Sequence, residues 1–184
     1  MRAFVAVKVP DRPLLIWPFK GLSADGGMKI YGTGDLHITL SFIGEIERGR
    51  LSDVTEAVAR AAHGTGPFEI KVGGLGSFQG RRGPRTVWVG AESGGNLEKL
   101  AERISEELDG KGIGHDRKKF IPHITLARFR NERGAPSASS LIERYEGDDS
   151  FTFTCRKITI FSSELGPSGA VHTPLSEIPL RSVA

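Results

Sequence analysis

The tetrapeptide His-Ile-Thr-Leu occurs twice in this chain, at His37-Ile38-Thr39-Leu40 and at His123-Ile124-Thr125-Leu126. Each copy lies inside a β-branched, alternating run: Leu36 to Ile43 for the first and Phe120 to Phe129 for the second. Such runs read as strands, and a strand sends successive side chains to opposite faces. In H-x-T-x the His and Thr therefore share one face while Ile and Leu share the other. One face can carry chemistry and the other can anchor it in a core. A lone HxT is unremarkable in a strand, but two copies with the same intervening residues, in a chain with five histidines, are not.

Working outward, Arg2 to Val9 reads as a strand stopped by Pro10, and Asp11 to Gly27 leaves room for only a short helix, with Pro13 in its first turn and Pro18 and the glycines at 21, 26 and 27 limiting it. Leu51 to Ala62 places Leu51, Val54, Val58 and Ala61 on one helical stripe, and Asn96 to Leu108 does so with Leu97, Leu100, Ile104 and Leu108, capped by Ser93 or Asn96. Pro67 to Leu75 and Arg85 to Ala91 read as strands around the loop GSFQGRRGP. Asn131 to Ala138 reads as an exposed loop, and Ser139 to Tyr145 as a short helix. From Phe151 to Phe161 the pattern is a strand whose inward phase changes, so a bulge or twist is expected near Arg156-Lys157. A last strand, Val171 to Leu180, follows the turn Gly166 to Gly169. The loose repetition of strand, helix and HITL strand points to two related halves, each giving one HITL strand to a shared groove.

The chain has 184 residues, 38% of them apolar, which suffices for one domain with a core. A single cysteine, Cys155, excludes an intrachain disulfide and a cysteine zinc site. No stretch approaches the roughly 20 apolar residues of a membrane helix, so a cytoplasmic protein with no membrane partner is expected. The net charge of +3 is a mild excess. Its placement, in Arg81 to Arg85, Arg117 to Lys119, and Arg128 to Arg133, leans toward an anionic partner more than its size does. His63, His115 and His172 lack the HxT setting and are read as surface or turn residues.

Two imidazoles facing one groove supply what phosphodiester cleavage needs without metal: a neutral one takes a proton from the attacking oxygen, and a protonated one gives a proton to the leaving oxygen. The Thr hydroxyls can donate hydrogen bonds to phosphate oxygens. Hydroxyls are weak metal ligands, no third ligand sits at metal spacing, and Gly73 to Gly76 lacks the features of a phosphate-binding loop, so neither a metal nor a nucleotide cofactor is expected.

The paired motifs, and with them MRAFVAVKVP, Asp35 to Glu45, Thr86 to Gly90, Phe120 to Arg128 and Ser163 to Ala170, resemble the two-histidine (2H) phosphoesterases. Within these the chain is similar to the RNA 2',3'-cyclic phosphodiesterases, also called 2'-5' RNA ligases. The resemblance covers nearly the whole chain and implies one bilobal α+β domain over residues 1–184. It would have two pseudo-symmetric lobes, each an antiparallel sheet with helices packed outside, and both HxTx strands would face a central groove. It also implies a proton donor at His37, a proton acceptor at His123, and phosphate contacts from Thr39 and Thr125. Arg128 would assist in binding phosphate or base, and Phe4 would be an aromatic able to stack on a base. Strict alternation places Arg128 opposite His123, so a bulge or strand end would have to turn it inward. Family members carry a longer helix after the first strand than Asp11 to Gly27 can form.

The implied reaction opens a terminal 2',3'-cyclic phosphate of RNA, such as a tRNA-like fragment, to a 2'-phosphate. Run in reverse with an RNA hydroxyl as nucleophile, it gives a 2'-5' linkage. A monomer is expected. The readings set against this one are a 2H enzyme for a small cyclic nucleotide or ADP-ribose cyclic phosphate, a non-catalytic module that binds RNA ends, and a metal-dependent phosphodiesterase.

Overall fold

In the computed structural model, residues 1–11, 28–31, 35–81, 83–129, 139–140, 142–143, 150–167 and 169–183 are described. They form β1 (Arg2–Lys8), β2 (Met28–Ile30), β3 (His37–Glu45), α1 (Leu51–Ala62), β4 (Phe68–Gly80), β5 (Gly83–Glu92), α2 (Asn96–Gly110), β6 (His123–Phe129), β7 (Phe151–Cys155), β8 (Lys157–Gly166) and β9 (Gly169–Pro179). Two antiparallel sheets result, ordered β3-β1-β8-β9 and β2-β6-β5-β4-β7. In each, an HxTx strand starts a series of four, β3-β1-β8-β9 in one and β6-β5-β4-β7 in the other, and β2 is added outside β6. The α+β fold and the paired sheets agree with the sequence-based expectation.

Alternation along β1 shows how the faces are used. Ala3, Val5, Val7 and Val9 enter the main core, whereas Phe4 and Ala6 join Phe161 in a second cluster on the other face. The main core takes Ile38 and Leu40 from β3, Ile124 and Leu126 from β6, and Ile158 and Ile160 from β8. Helix α1 adds Val54, Ala57, Val58 and Ala61, and α2 adds Leu97, Leu100, Ile104 and Leu108. The helices therefore cover the faces turned away from the HxT side chains. Gly95, neither of the two expected residues, is the N-cap of α2, and Ser93 two residues before it accepts from the Leu97 N–H through Oγ at 2.9 Å, which satisfies one of the donors a helix start leaves unpaired.

Four further expectations are corrected. The run Phe151 to Phe161 is two strands: the chain leaves β4 at Cys155, passes Arg156 and enters the other sheet beside β1. The change of inward phase marks this transfer between sheets, since each sheet presents its own face to the core. The presumed loop GSFQGRRGP forms the arms of a hairpin, with β4 running to Gly80 and β5 starting at Gly83. Gly76 is a strand residue for a packing reason. The Trp88 indole lies across Gly76, its register partner, and a Cβ there would collide with the ring. His115 is not a surface residue: its side chain is 1% exposed and its ring bonds Ser105 Oγ at 2.5 Å. His172 is neither a turn nor a surface residue but a half-buried residue of β9. His63, just beyond α1, is exposed as expected.

Strand β2 was not foreseen. The helix expected after Pro10 falls on 12–27 and the expected loop on 131–138, both outside the described residues; of the short helix at Ser139 to Tyr145, Ser139, Ser140, Ile142 and Glu143 are helical and 141 and 144–145 lie outside. Among the described residues no helix is long and apolar enough to cross a membrane.

Candidate active site

The two HxTx strands carry the same irregularity at the same place. On β3 the register with β1 jumps from Ser41 to Thr39 between Val5 and Ala6. On β6 the register with β5 jumps from Ala127 to Thr125 between Val87 and Trp88. Each is a bulge, two residues opposing one, which restarts the alternation. Leu40 and Ser41 consequently both point inward, as do Leu126 and Ala127, and all four are buried. The next residue of each strand then returns to the His/Thr face: Phe42 in one, Arg128 in the other. Cross-strand partners share a face, and Arg128 pairs with Thr86, which shares its face with Trp88, the partner of Thr125. The structure thus places Arg128 on the side of His123 and Thr125, where simple alternation had put it on the opposite side.

The histidines are held in matching ways. His37 Nδ1 lies 2.7 Å from the Asp35 carbonyl oxygen, and His123 Nδ1 lies 2.6 Å from that of Ile121, in both cases two residues upstream. A carbonyl only accepts, so each Nδ1 carries the proton and donates it. That leaves each Nε2 to act as a base when the ring is neutral and as an acid when it is charged.

Around His37 stand Phe4 with ring centroids 5.0 Å apart, His172 at 5.4 Å and Phe161 at 6.4 Å. Around His123 stand Phe78, edge-on at 4.8 Å, and Trp88 at 6.0 Å. Phe4 itself is 2% exposed. Its ring stacks on Phe161 at 5.2 Å and meets the edge of His172 at 5.0 Å. As placed, it backs the His37 imidazole and has no open face for a base.

Both histidines have pKa values below the ordinary 6.5, and desolvation by burial is the main cause in each. The backbone hydrogen bonds oppose this. For His37, charge on His172 and on His123 lowers the value further while the Asp35 carboxylate raises it. For His123 the further depression comes from the Arg128 guanidinium. Of the influences on His37, that of His123 is the weakest.

Among the described residues no three His, Cys, Asp or Glu side chains are grouped to hold a metal. Cys155 is buried, its thiol pushed up to about 11 by desolvation, and plays no part here.

The structure sets His37 and Thr39 on one face of β3, with Phe4 behind His37, and His123, Thr125 and Arg128 on one face of β6. Sequence reasoning missed His172, Phe78 and Trp88. Trp88 was within reach, because Thr86-Val87-Trp88 alternates and marks Trp88 as a residue of the Thr86 face. His172 was not, because only the pairing of β9 with β8 puts it in the same sheet as β3, across β1 and β8.

Against known families, the model of the 2'-5' RNA ligase superfamily matches residues 18–167, which include both HxTx strands. The chain belongs to the 2'-5' RNA ligase superfamily. Among curated members, the RNA 2',3'-cyclic phosphodiesterase of Archaeoglobus fulgidus is 32% identical over 95% of this chain and 98% of its own. The protein of the same name from Thermus thermophilus is 33% identical, covering 98% of this chain and 91% of its own. A Thermus thermophilus crystal structure superposes with a TM-score of 0.79 at 28% identity, covering 99% of both chains. The Escherichia coli protein LigT, in its apo form, shares the fold with a TM-score of 0.74 at 21% identity, over 97% and 96% of the two chains. In this superfamily member the matched span ends at residue 167, before β9 and its His172.

Proposed function

We propose that this superfamily member is an RNA 2',3'-cyclic phosphodiesterase that works by metal-independent acid–base catalysis between His37 and His123. The observation that carries the reading is the matched pair of imidazoles. Each is tied through Nδ1 to the backbone carbonyl two residues upstream, on an HxTx strand of its own sheet, which leaves Nε2 for the chemistry. Two curated relatives bear the name of that activity.

The step balances without a cofactor. Neutral His123 Nε2 takes a proton from water as its oxygen bonds to phosphorus. The P–O3' bond breaks, and protonated His37 gives its Nε2 proton to O3', leaving a 2'-phosphate and a 3'-hydroxyl. Thr39 and Thr125 hydroxyls donate to the non-bridging oxygens as charge gathers on them. Arg128, on the same face, attracts the phosphate and keeps His123 neutral to lower pH. An RNA hydroxyl in place of water would leave the same site with a 2'-5' linkage.

The test is to incubate the protein with a nucleoside 2',3'-cyclic phosphate in excess EDTA and identify the product by phosphorus NMR. Turnover to the 2'-phosphate at an undiminished rate is expected. Activity lost to EDTA and restored by a divalent ion would sink the metal-free mechanism, and tight binding without turnover would reduce the protein to a module that holds RNA ends.

Arg128→Gln removes one charged contact to phosphate, a loss of roughly 10- to 100-fold in kcat/KM. It also removes the cation that depresses His123. The His123 pKa rises, so the low-pH limb of the rate profile, where the base becomes protonated, moves to higher pH. A profile that keeps this limb in place would show that Arg128 does not act on His123.

A further inference from the structure

The bulge that returns Arg128 to the face of His123 and Thr125 has its twin on β3, which returns Phe42 to the face of His37 and Thr39. The fifth residue after each histidine is thus a guanidinium in one sheet and a phenyl ring in the other. Register agrees on where the ring lies: Phe42 pairs with Phe4, whose own ring is 5.0 Å from that of His37. Phe4 is buried, whereas Phe42 is 38% exposed and is the sole aromatic among the exposed large apolar side chains of the described residues. Its surroundings are ordered. This stretch of β3 is paired with β1, and the Asp116 N–H donates to the Phe42 carbonyl at 2.8 Å. The Arg2 guanidinium stands over the ring, Cζ 5.6 Å from its centre, with Nε 3.7 Å from a Glu45 oxygen. One side of the ring therefore has a cation–π partner, and the rest of it meets solvent.

The chemistry says on which side a base would fall. In the hydrolytic step water attacks phosphorus in line with the departing O3', so that oxygen, and the ribose that carries it, stand on the side of the proton donor His37. The base hangs from the same ribose and is carried along β3. Beyond Thr39 the next side chain on the chemical face of β3 is Phe42, three residues on and within about 10 Å along the strand. The equivalent place on β6 holds Arg128, which offers charge to a phosphate and no apolar ring to a base. A flat apolar surface left in water at that point is what a nucleobase would cover.

We propose that Phe42, with Arg2 against it, is a base subsite: its ring stacks on the nucleobase of the nucleotide whose cyclic phosphate is opened, and it favours purines, whose larger rings cover more of it. This rests on the phosphodiesterase reading and adds to it the direction in which the substrate lies, base along β3, and a preference among nucleotides.

Binding tests it apart from turnover. By calorimetry at low salt, Phe42→Ala should weaken the affinity for adenosine 2'-phosphate roughly 5- to 150-fold, the range for one lost base–aromatic stack. It should weaken uridine 2'-phosphate less and leave inorganic phosphate, which has no base, as in the wild type. Phe42→Trp should keep the affinity for adenosine 2'-phosphate. Phe42→Leu, which keeps apolar bulk without a flat ring, should not, and these two bulky variants decide the matter should the alanine variant fail to fold. In turnover of adenosine 2',3'-cyclic phosphate the loss should fall on KM and not on kcat, as for binding shared by ground and transition states. A Phe42→Ala protein that binds adenosine 2'-phosphate like the wild type, or a Phe42→Leu protein that does so, overturns the subsite. Absence of cyclic phosphate hydrolysis would instead overturn the phosphodiesterase reading, and the binding series would still decide the subsite.

Discussion

His37→Ala and His123→Ala should each lower kcat/KM for a nucleoside 2',3'-cyclic phosphate by on the order of 10²- to 10⁴-fold. Each ring is half-buried and, among the described residues, hydrogen-bonds a local carbonyl, so the fold should survive its removal. The double variant should be little worse than the worse single one, because the acid and base serve the same proton transfers and their losses do not add. The two roles can be told apart by the leaving group. A phosphodiester that expels nitrophenolate needs no proton at its departing oxygen, so His37→Ala should recover much of its loss on such a substrate. His123→Ala should not, since water still has to lose a proton. If both variants recover equally, the assignment of donor and acceptor is wrong.

Ile38→Ala and Ile124→Ala carry the second large effect, this time on stability. Both side chains are fully buried behind their histidines. Truncation loses apolar burial and leaves a cavity, at a cost of about 2–5 kcal/mol. For a chain of this size each kcal/mol lowers Tm by roughly 2–4 °C. Ile38→Val and Ile124→Val, which remove one methylene, should cost only about 0.5–1.5 kcal/mol. A thermal melt followed by circular dichroism checks the series. Turnover per folded molecule should fall as well, since the strand that loses its anchor is the one that aims the imidazole. Alanine variants that melt with the wild type would mean that the apolar half of each tetrapeptide does not fix the strand.

The site was legible because strand alternation is a local rule. His37, Thr39, His123 and Thr125 could be set on one face from a spacing of two, and the stripes of α1 and α2 from a spacing near 3.6. What the sequence hid depends on pairing between distant segments. Whether Arg128 faces the groove is decided by a bulge at Leu126-Ala127, and the bulge exists only in relation to β5. Gly76 reads as a loop residue until Trp88 is seen lying over it. The break at Arg156 was visible as a change of phase, yet the same change fits a bulge within one sheet or a step between two. His172 sits in an unremarkable Val-His-Thr run and gains its neighbours only when β9 folds back on β8. Local periodicity reveals the elements and the side chains they present; long-range register decides which of them meet.

The central claim, that one histidine from each lobe serves as acid and the other as base in a single site, is tested most directly by the pH dependence of kcat/KM. The reaction needs one ring neutral and the other charged, so the wild-type profile should be bell-shaped, with two apparent pKa values that belong to the pair. Burial lowers both rings below 6.5. Activity should therefore rise with pH as His123 loses its proton, fall as His37 loses its own, and peak below about pH 6.5. His123→Ala should abolish the rising limb and His37→Ala the falling one. A wild-type profile without two limbs, or two substitutions that remove the same limb, would contradict the account.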